Sequence, residues 1–146
     1  MRDFDSGLPC GCMGASGDKY DGSNQNDAGL CQWPIKLRLV SPVAPYFHRG
    51  DLLIAADCSA FSDRNFHSLI FKDRPVVIGC PLMDEPYFSD RLNKIVEIND
   101  IKSITAVHMD TDCCKGFPAS VMSAVRKSGK AIPLNFSIIF AEGEMD

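Results

Sequence analysis

Five short apolar runs punctuate the chain from Trp33 onward: "IKLRLV" (35–40), "LLIAADC" (52–58), "PVVIGCP" (75–81), "SITAVHMD" (103–110) and "LNFSIIFAEG" (134–143). Each has the length of a strand. Taken together the last four are continuous rather than alternating, most clearly "LLIAA" and "PVVI", the pattern of strands buried on both faces of a parallel sheet. "IKLRLV" alternates, which marks it as an edge strand. Between the runs lie segments with helical spacing. Ser62 is placed to cap "DRNFHSLIF" (63–71), and Ser89 to cap "DRLNKIVEIND" (90–100), where Leu92, Ile95, Val96 and Ile98 share one face. In "FPASVMSAVRKSGK" (117–130), Val121, Met122 and Val125 form the stripe, Arg126 and Lys127 suit the negative helix end, and Gly129 supplies the stop. Core packing accounts for all three stripes. The alternation predicts an α/β fold: one doubly wound, mostly parallel five-stranded sheet with helices on both faces, spanning residues 33–146.

Residues 1–32 read differently. "GASGDKYDGSNQNDAG" (14–29) has neither period and too little apolar area to order itself, so this irregular Cys/Gly-rich segment depends on something else to tie it down.

The bulk properties exclude several function classes. At 146 residues and 45% hydrophobic content the chain builds a core without covalent staples. A net charge of −4 offers no broad basic surface, so nucleic acid is not an expected partner. No apolar run approaches the roughly 20 residues of a membrane span, and "MRDFDSGLPC" lacks the apolar core of a signal peptide. The expected location is the cytoplasm. There is no G-x-G-x-x-G and no P-loop, hence no case for a bound dinucleotide or nucleoside triphosphate.

The cysteines change the picture. There are seven, at 10, 12, 31, 58, 80, 113 and 114, an odd number and many for a reducing compartment, which turns attention to metal or redox chemistry. Cys31 reads most simply as a small buried hydrophobe. Cys58 closes "LLIAADC", Cys80 closes the apolar run of "PVVIGCP", and the pair Cys113 and Cys114 follows "SITAVHMD", so three successive predicted strands deliver thiol at their carboxyl ends, 22 residues (58 to 80) and 33 residues (80 to 113) apart, the length of a helix plus a strand. In a parallel sheet these ends share one edge, with strands about 4.8 Å apart, and that is where such folds hold ligands. Thiolates select zinc, Cu(I) or iron–sulfur clusters. The usual paired zinc spacing is absent, as is the ferredoxin spacing, which leaves a site assembled from several loops. "PCGCMGAS" (9–16) offers Cys10 and Cys12 among glycines as a further ligand source.

"AADC" (55–58), "IGCP" (78–81) and "HMDTDCCKG" (108–116), with "GCMG" (11–14) upstream, resemble the cysteine motifs of a group of iron–sulfur proteins from anaerobic bacteria and archaea labelled 4Fe-4S ferredoxin-type proteins. The likeness runs from "QWPIKLRLVSPVAPYF" (32–47) to "FAEGE" (140–144). It implies binding of a [4Fe-4S] cluster. Where such proteins carry Gly-Cys-Pro-Gly this chain has "GCMG", which maps to Cys12 and leaves Cys10 as an addition. The fused ferredoxin module that many of them carry is missing here, which speaks against a relay of several clusters.

Three functions follow as expectations. The first is a non-catalytic electron-transfer protein or small oxidoreductase subunit whose metal-binding cysteines are Cys12, Cys58, Cys80 and one of Cys113 and Cys114, serving a redox partner protein or a larger complex. The second is a thiol or persulfide sulfur-transfer or disulfide-exchange enzyme using Cys113 and Cys114, with a low-pKa thiol near the helix that begins around Phe117. The third is a structural zinc module for assembly. His108 is either a second donor to the site or a hydrogen-bonded strand histidine, while His48 and His67 have no assigned role. Asp57, Asp84, Glu85, Asp110 and Asp112 form either an acidic rim that steers a basic partner or ordinary turn and cap residues.

Overall fold

The computed structural model describes residues 32–71 and 74–141. Four of the predicted runs form strands: β1 (Asp51–Ala56), β2 (Val76–Gly79), β3 (Ser103–Met109) and β4 (Leu134–Ile139). They make one four-stranded sheet in the order β2-β1-β3-β4, with every pairing parallel. Leu52 through Ala56 are all buried, so both faces of β1 are covered, as its unbroken apolar run requires. At the far edge β4 buries fully only Ile139, and Phe136 stays 38% exposed.

The fifth expected strand is reduced to a single bridge. Residues 35–37 run parallel to β2: Ile78 N–H donates to Ile35 O at 2.9 Å and Leu37 N–H donates to Ile78 O at 2.8 Å. The Lys36 carbonyl then accepts the N–H groups of both Leu39 and Val40, which turns the chain away after one rung. Just before this rung, the buried side-chain amide of Gln32 imitates a neighbouring strand. It donates to Val76 O at 2.6 Å and accepts Val76 N–H at 2.8 Å.

Helix α1 (Ser59–Ser62) and α2 (Pro81–Asp84) are single turns that open directly after β1 and β2. The longer helices are α3 (Tyr87–Ile98) and α4 (Phe117–Lys127), which pack against each other with the Phe88 and Phe117 rings 5.6 Å apart. Pro118 sits in the first turn of α4, where a missing N–H costs nothing, and Gly129 at φ 71° ends it, in line with the sequence. Lys130 Nζ donates to the carbonyls of Val96 and Asn99, meeting acceptors that the end of α3 leaves open.

The helix boundaries differ from expectation in three places. Ser62 does not cap residues 63–71. Its hydroxyl donates to Cys58 O, and Asp63 accepts Asn65 N–H instead, introducing a wide π-helical turn (Phe66–Phe71). Ser89 lies inside α3, where its hydroxyl donates to Glu85 at 2.6 Å. Ile98 is 55% exposed and Met122 only half-buried, because Phe88 and Ala124 complete the two apolar faces. Among the described residues no helix is long and apolar enough to cross a membrane.

The end of β2 leaves no room for a side chain. A Cβ on Gly79 would lie 2.7 Å from Cδ2 of the fully buried Phe88 ring. Gly79→Ala is therefore expected to destabilise the fold by about 1–3 kcal/mol through overpacking, read as a lower urea midpoint with unchanged slope.

Candidate cysteine site at the carboxyl edge of the sheet

In a parallel sheet all strands end on one side, and here β2, β1 and β3 are immediate neighbours. The chain leaves β1 toward β2 and later returns across β1 to β3. The carboxyl ends of β1 and β3 therefore flank the point where the winding direction reverses, the place where open α/β sheets form a crevice. Every described cysteine follows one of these three strand ends.

Cys58 lies two residues beyond β1. Asp57 N–H donates to Gly79 O at 3.2 Å, the last rung of the β1–β2 ladder, so the loops bearing Cys58 and Cys80 leave adjacent strands side by side. Cys58 is exposed and precedes α1, which Ser59 anchors by donating its buried hydroxyl to Ala56 O. Cys80 caps α2 from extended backbone and is half-buried. The cap is reciprocal: Asp84 N–H donates to Cys80 O and Cys80 N–H donates to Asp84 Oδ2, each at 2.8 Å.

The vicinal pair occupies a tight 3₁₀ turn (Asp112–Cys114) closed by Cys114 N–H donating to Thr111 O. A turn this tight sends adjacent side chains in different directions. Cys113 is exposed, with its sulfur 3.2 Å from the Thr111 hydroxyl. Cys114 is only 7% exposed and belongs to the core. Burial pushes its thiol above the ordinary range; hydrogen bonds from the Met109 backbone and Thr111 oppose this, and the nearby Cys113 and Cys80 add to it. The turn packs against α2, which brings Cys114 to the Cys80 side of the edge.

An ion triad binds the same loops. Lys36 Nζ reaches Asp57 Oδ2 and, at 2.8 Å, Asp84 Oδ2. Burial works to lower the Lys36 pKa, but the two carboxylates outweigh it and hold it above the ordinary value. Asp84 is likewise penalised by burial, yet Lys36 and the Cys80 N–H hold its pKa below the usual carboxylate range. The sequence reading missed Lys36, which lies 21 residues from its nearer partner and carried no local signal. The acidic rim is also smaller than expected. Asp84 is 5% exposed and Asp57 is paired, which leaves Glu85, Asp110 and the highly exposed Asp112, itself paired with Lys115. Large apolar side chains stand out beside these loops: Phe61 on α1 is 94% exposed, and Leu82 and Met83 on α2 are 69% and 75% exposed.

A model of the Rossmann-like domain family matches residues 44–145. The chain belongs to that family. A protein of Archaeoglobus fulgidus described as uncharacterized is 31% identical over 116 residues, covering 79% of this chain and 81% of its own. No solved structure matches. The dinucleotide that such folds often carry does not suit this Rossmann-like chain. The turn after β1, "DCSA" (57–60), has no glycine to let a pyrophosphate approach the backbone, and it opens a single-turn helix.

The predicted site residues divide clearly. Cys58, Cys80, Cys113 and Cys114 sit on loops at one edge, all four unpaired, while Cys10, Cys12 and Cys31 lie outside the described residues. Among the described residues no group of three or more His, Cys, Asp or Glu side chains is arranged to hold a metal ion. His108 is buried in β3, its Nδ1 3.1 Å from Met109 O and its ring stacked on Phe117, the arrangement of a hydrogen-bonded core histidine. His48 is exposed beyond a short helical turn at Pro45–Phe47, and His67 lies in the π-helical turn.

Two expectations follow. Asp84, with its lowered pKa, contributes stability that is complete above the ordinary value of 3.8 and is lost as pH falls through its folded value. Asp84→Asn should cost about 1–3 kcal/mol at neutral pH and flatten the acid limb of urea midpoints measured from pH 2 to 7. In folded protein at pH 8, iodoacetamide should alkylate Cys114 several-fold more slowly than Cys113, with the difference vanishing in denaturant; peptide mapping reads both rates.

Proposed function

We propose that the chain is an iron–sulfur cluster-binding electron-transfer protein or small redox subunit, with Cys58, Cys80, Cys114 and the N-terminal Cys12 as ligands. One observation carries this reading: three adjacent parallel strands each deliver a cysteine at the same edge. Cysteines placed only for packing would not keep that phase. When bound, a [4Fe-4S] cluster supplies reversible one-electron transfer at a potential set by charge, hydrogen bonds and exposure.

The chain's own residues are suited to such a group. Cys114 is chosen over Cys113 because it turns inward on the Cys80 side, where its raised pKa means that ligation must release a proton. Cys113 remains outward as a neighbour, and Cys10 as a spare. A cluster binds each thiolate to a different iron, so its ligands need not touch. A single zinc ion needs sulfurs about 3.8 Å apart around one centre, and the described residues hold no such group. Phe61, Leu82 and Met83 give an oxidoreductase partner apolar surface beside the site. Right-handed crossovers would set α3 and α4 on one face of the sheet and residues 59–71 on the other, with residues 35–37 extending the β2 edge, which is the doubly wound layout in full. Four unpaired cysteines fit a reducing cytoplasm.

A second reading, sulfur transfer or disulfide exchange at Cys113 and Cys114, draws on the exposure of Cys113 and its contact with the Thr111 hydroxyl. It leaves the matching positions of Cys58 and Cys80 without a purpose, and burial moves Cys114 away from the low pKa that an attacking thiol needs.

Anaerobically prepared protein should be brown, hold about four iron and four sulfide per chain, and give an electron paramagnetic resonance signal on reduction. Alanine at Cys12, Cys58, Cys80 or Cys114 should remove most of the iron, and alanine at Cys113 should not. Colourless protein without iron refutes the proposal; zinc at one per chain, or disulfide exchange by cluster-free protein, would favour the alternatives.

A further inference from the structure

The Lys36, Asp57 and Asp84 triad ties together three segments that are far apart in sequence. Lys36 comes from the one-rung segment beside β2, Asp57 immediately precedes Cys58, and Asp84 holds the Cys80 N–H. Two features argue against stability as its main purpose. Partly buried ion groups of this kind are often replaceable by apolar residues with no loss of stability. Asp57 Oδ1 is also buried without a hydrogen-bond partner, a cost that a purely stabilising contact would tend to avoid. Beyond the last backbone rung between Asp57 and Gly79, the triad adds a side-chain tie between the β1 and β2 loops at the edge of the sheet.

We infer that Lys36 is a positioning residue: by clamping Asp57 and Asp84 together it fixes the spacing of the Cys58 and Cys80 thiols. The inference deepens the cluster-binding reading and rests on it for its purpose, although the clamp itself is testable without a cluster. Two carboxylates share one ammonium, so the triad also leaves one negative charge beside the thiols.

The test uses the full-length chain in its metal-free, reduced form. Dibromobimane alkylates two nearby thiols, each displacing one bromide, and becomes strongly fluorescent only when both have reacted; mass spectrometry identifies the bridged peptides. Wild type should give a Cys58–Cys80 bridge. The triple variant Lys36→Met, Asp57→Asn, Asp84→Asn removes all three charges together, so none is left uncompensated. It should give several-fold less of that bridge at equal total thiol labelling. Equal yield of the Cys58–Cys80 bridge in wild type and variant, or its absence from wild type, overturns the inference. If the triple variant fails to fold by circular dichroism, Asp57→Ala alone carries the same comparison, because it removes the acceptor that ties Lys36 to the Cys58 loop and spares the Cys80 cap. In iron-loaded protein, Asp57→Asn, which keeps the shape of the side chain, should raise the midpoint potential because one negative charge beside the cluster is lost. Iron-free wild type sinks the cluster reading while the bridging result stands; iron-loaded wild type with unchanged bridging in the variant sinks the clamp alone.

Discussion

Parallel pairing of β1 with both β2 and β3 is the constraint on which the rest of this molecule depends. It obliges three chain segments to end on one side of the sheet and sets their loops a strand's width apart. The pairing is held by burial. Leu52 through Ala56 are covered on both faces, and a slip of β1 would carry its apolar side chains away from the partners they now have. The loops at the carboxyl edge thus inherit their placement from the apolar packing of the sheet.

That edge combines two kinds of group that work against each other electrostatically. A thiol becomes negative once it loses its proton, and Asp57 with Asp84 outnumbers the Lys36 charge that joins them. The deeper thiol, Cys114, is shielded from solvent, and burial favours its neutral form. Local backbone devices keep the loops short and stiff around this edge. Ser59 and Ser62 bond back to Ala56 and Cys58, Asp84 caps Cys80, and Thr111 closes the turn around the vicinal pair.

The β2 side shows how a short segment is joined to the edge of a buried sheet. Gln32 supplies a donor and an acceptor to Val76, and the next residues add one true rung before turning away. An open strand edge is a liability for association, and this short cover satisfies its backbone groups without building a full strand. The same short segment brings Lys36 to the two carboxylates.

Much of the fold was legible in the sequence because unbroken apolar runs and helical stripes are local signals. Each of the four strands coincides with a run visible by inspection, β1 beginning one residue earlier at Asp51, and the end of α4 follows from Arg126, Lys127 and Gly129. The recurrence of Cys58, Cys80 and Cys113 at or just past the carboxyl ends of those runs was legible for the same reason. Other features depended on long-range partners. "IKLRLV" alternates like a strand, yet the Lys36 carbonyl is taken by a turn; Ser62 looks like a cap, yet its hydroxyl bonds backward; Asp57 and Asp84 look like surface acids, yet Lys36 draws them together. Periodicity records which face of a segment avoids water, and that the sequence alone determined. Which strands lie side by side, which of two adjacent thiols turns inward, and which charge meets which were decided only when the chain closed on itself, because each is set by atoms brought near from elsewhere in the sequence.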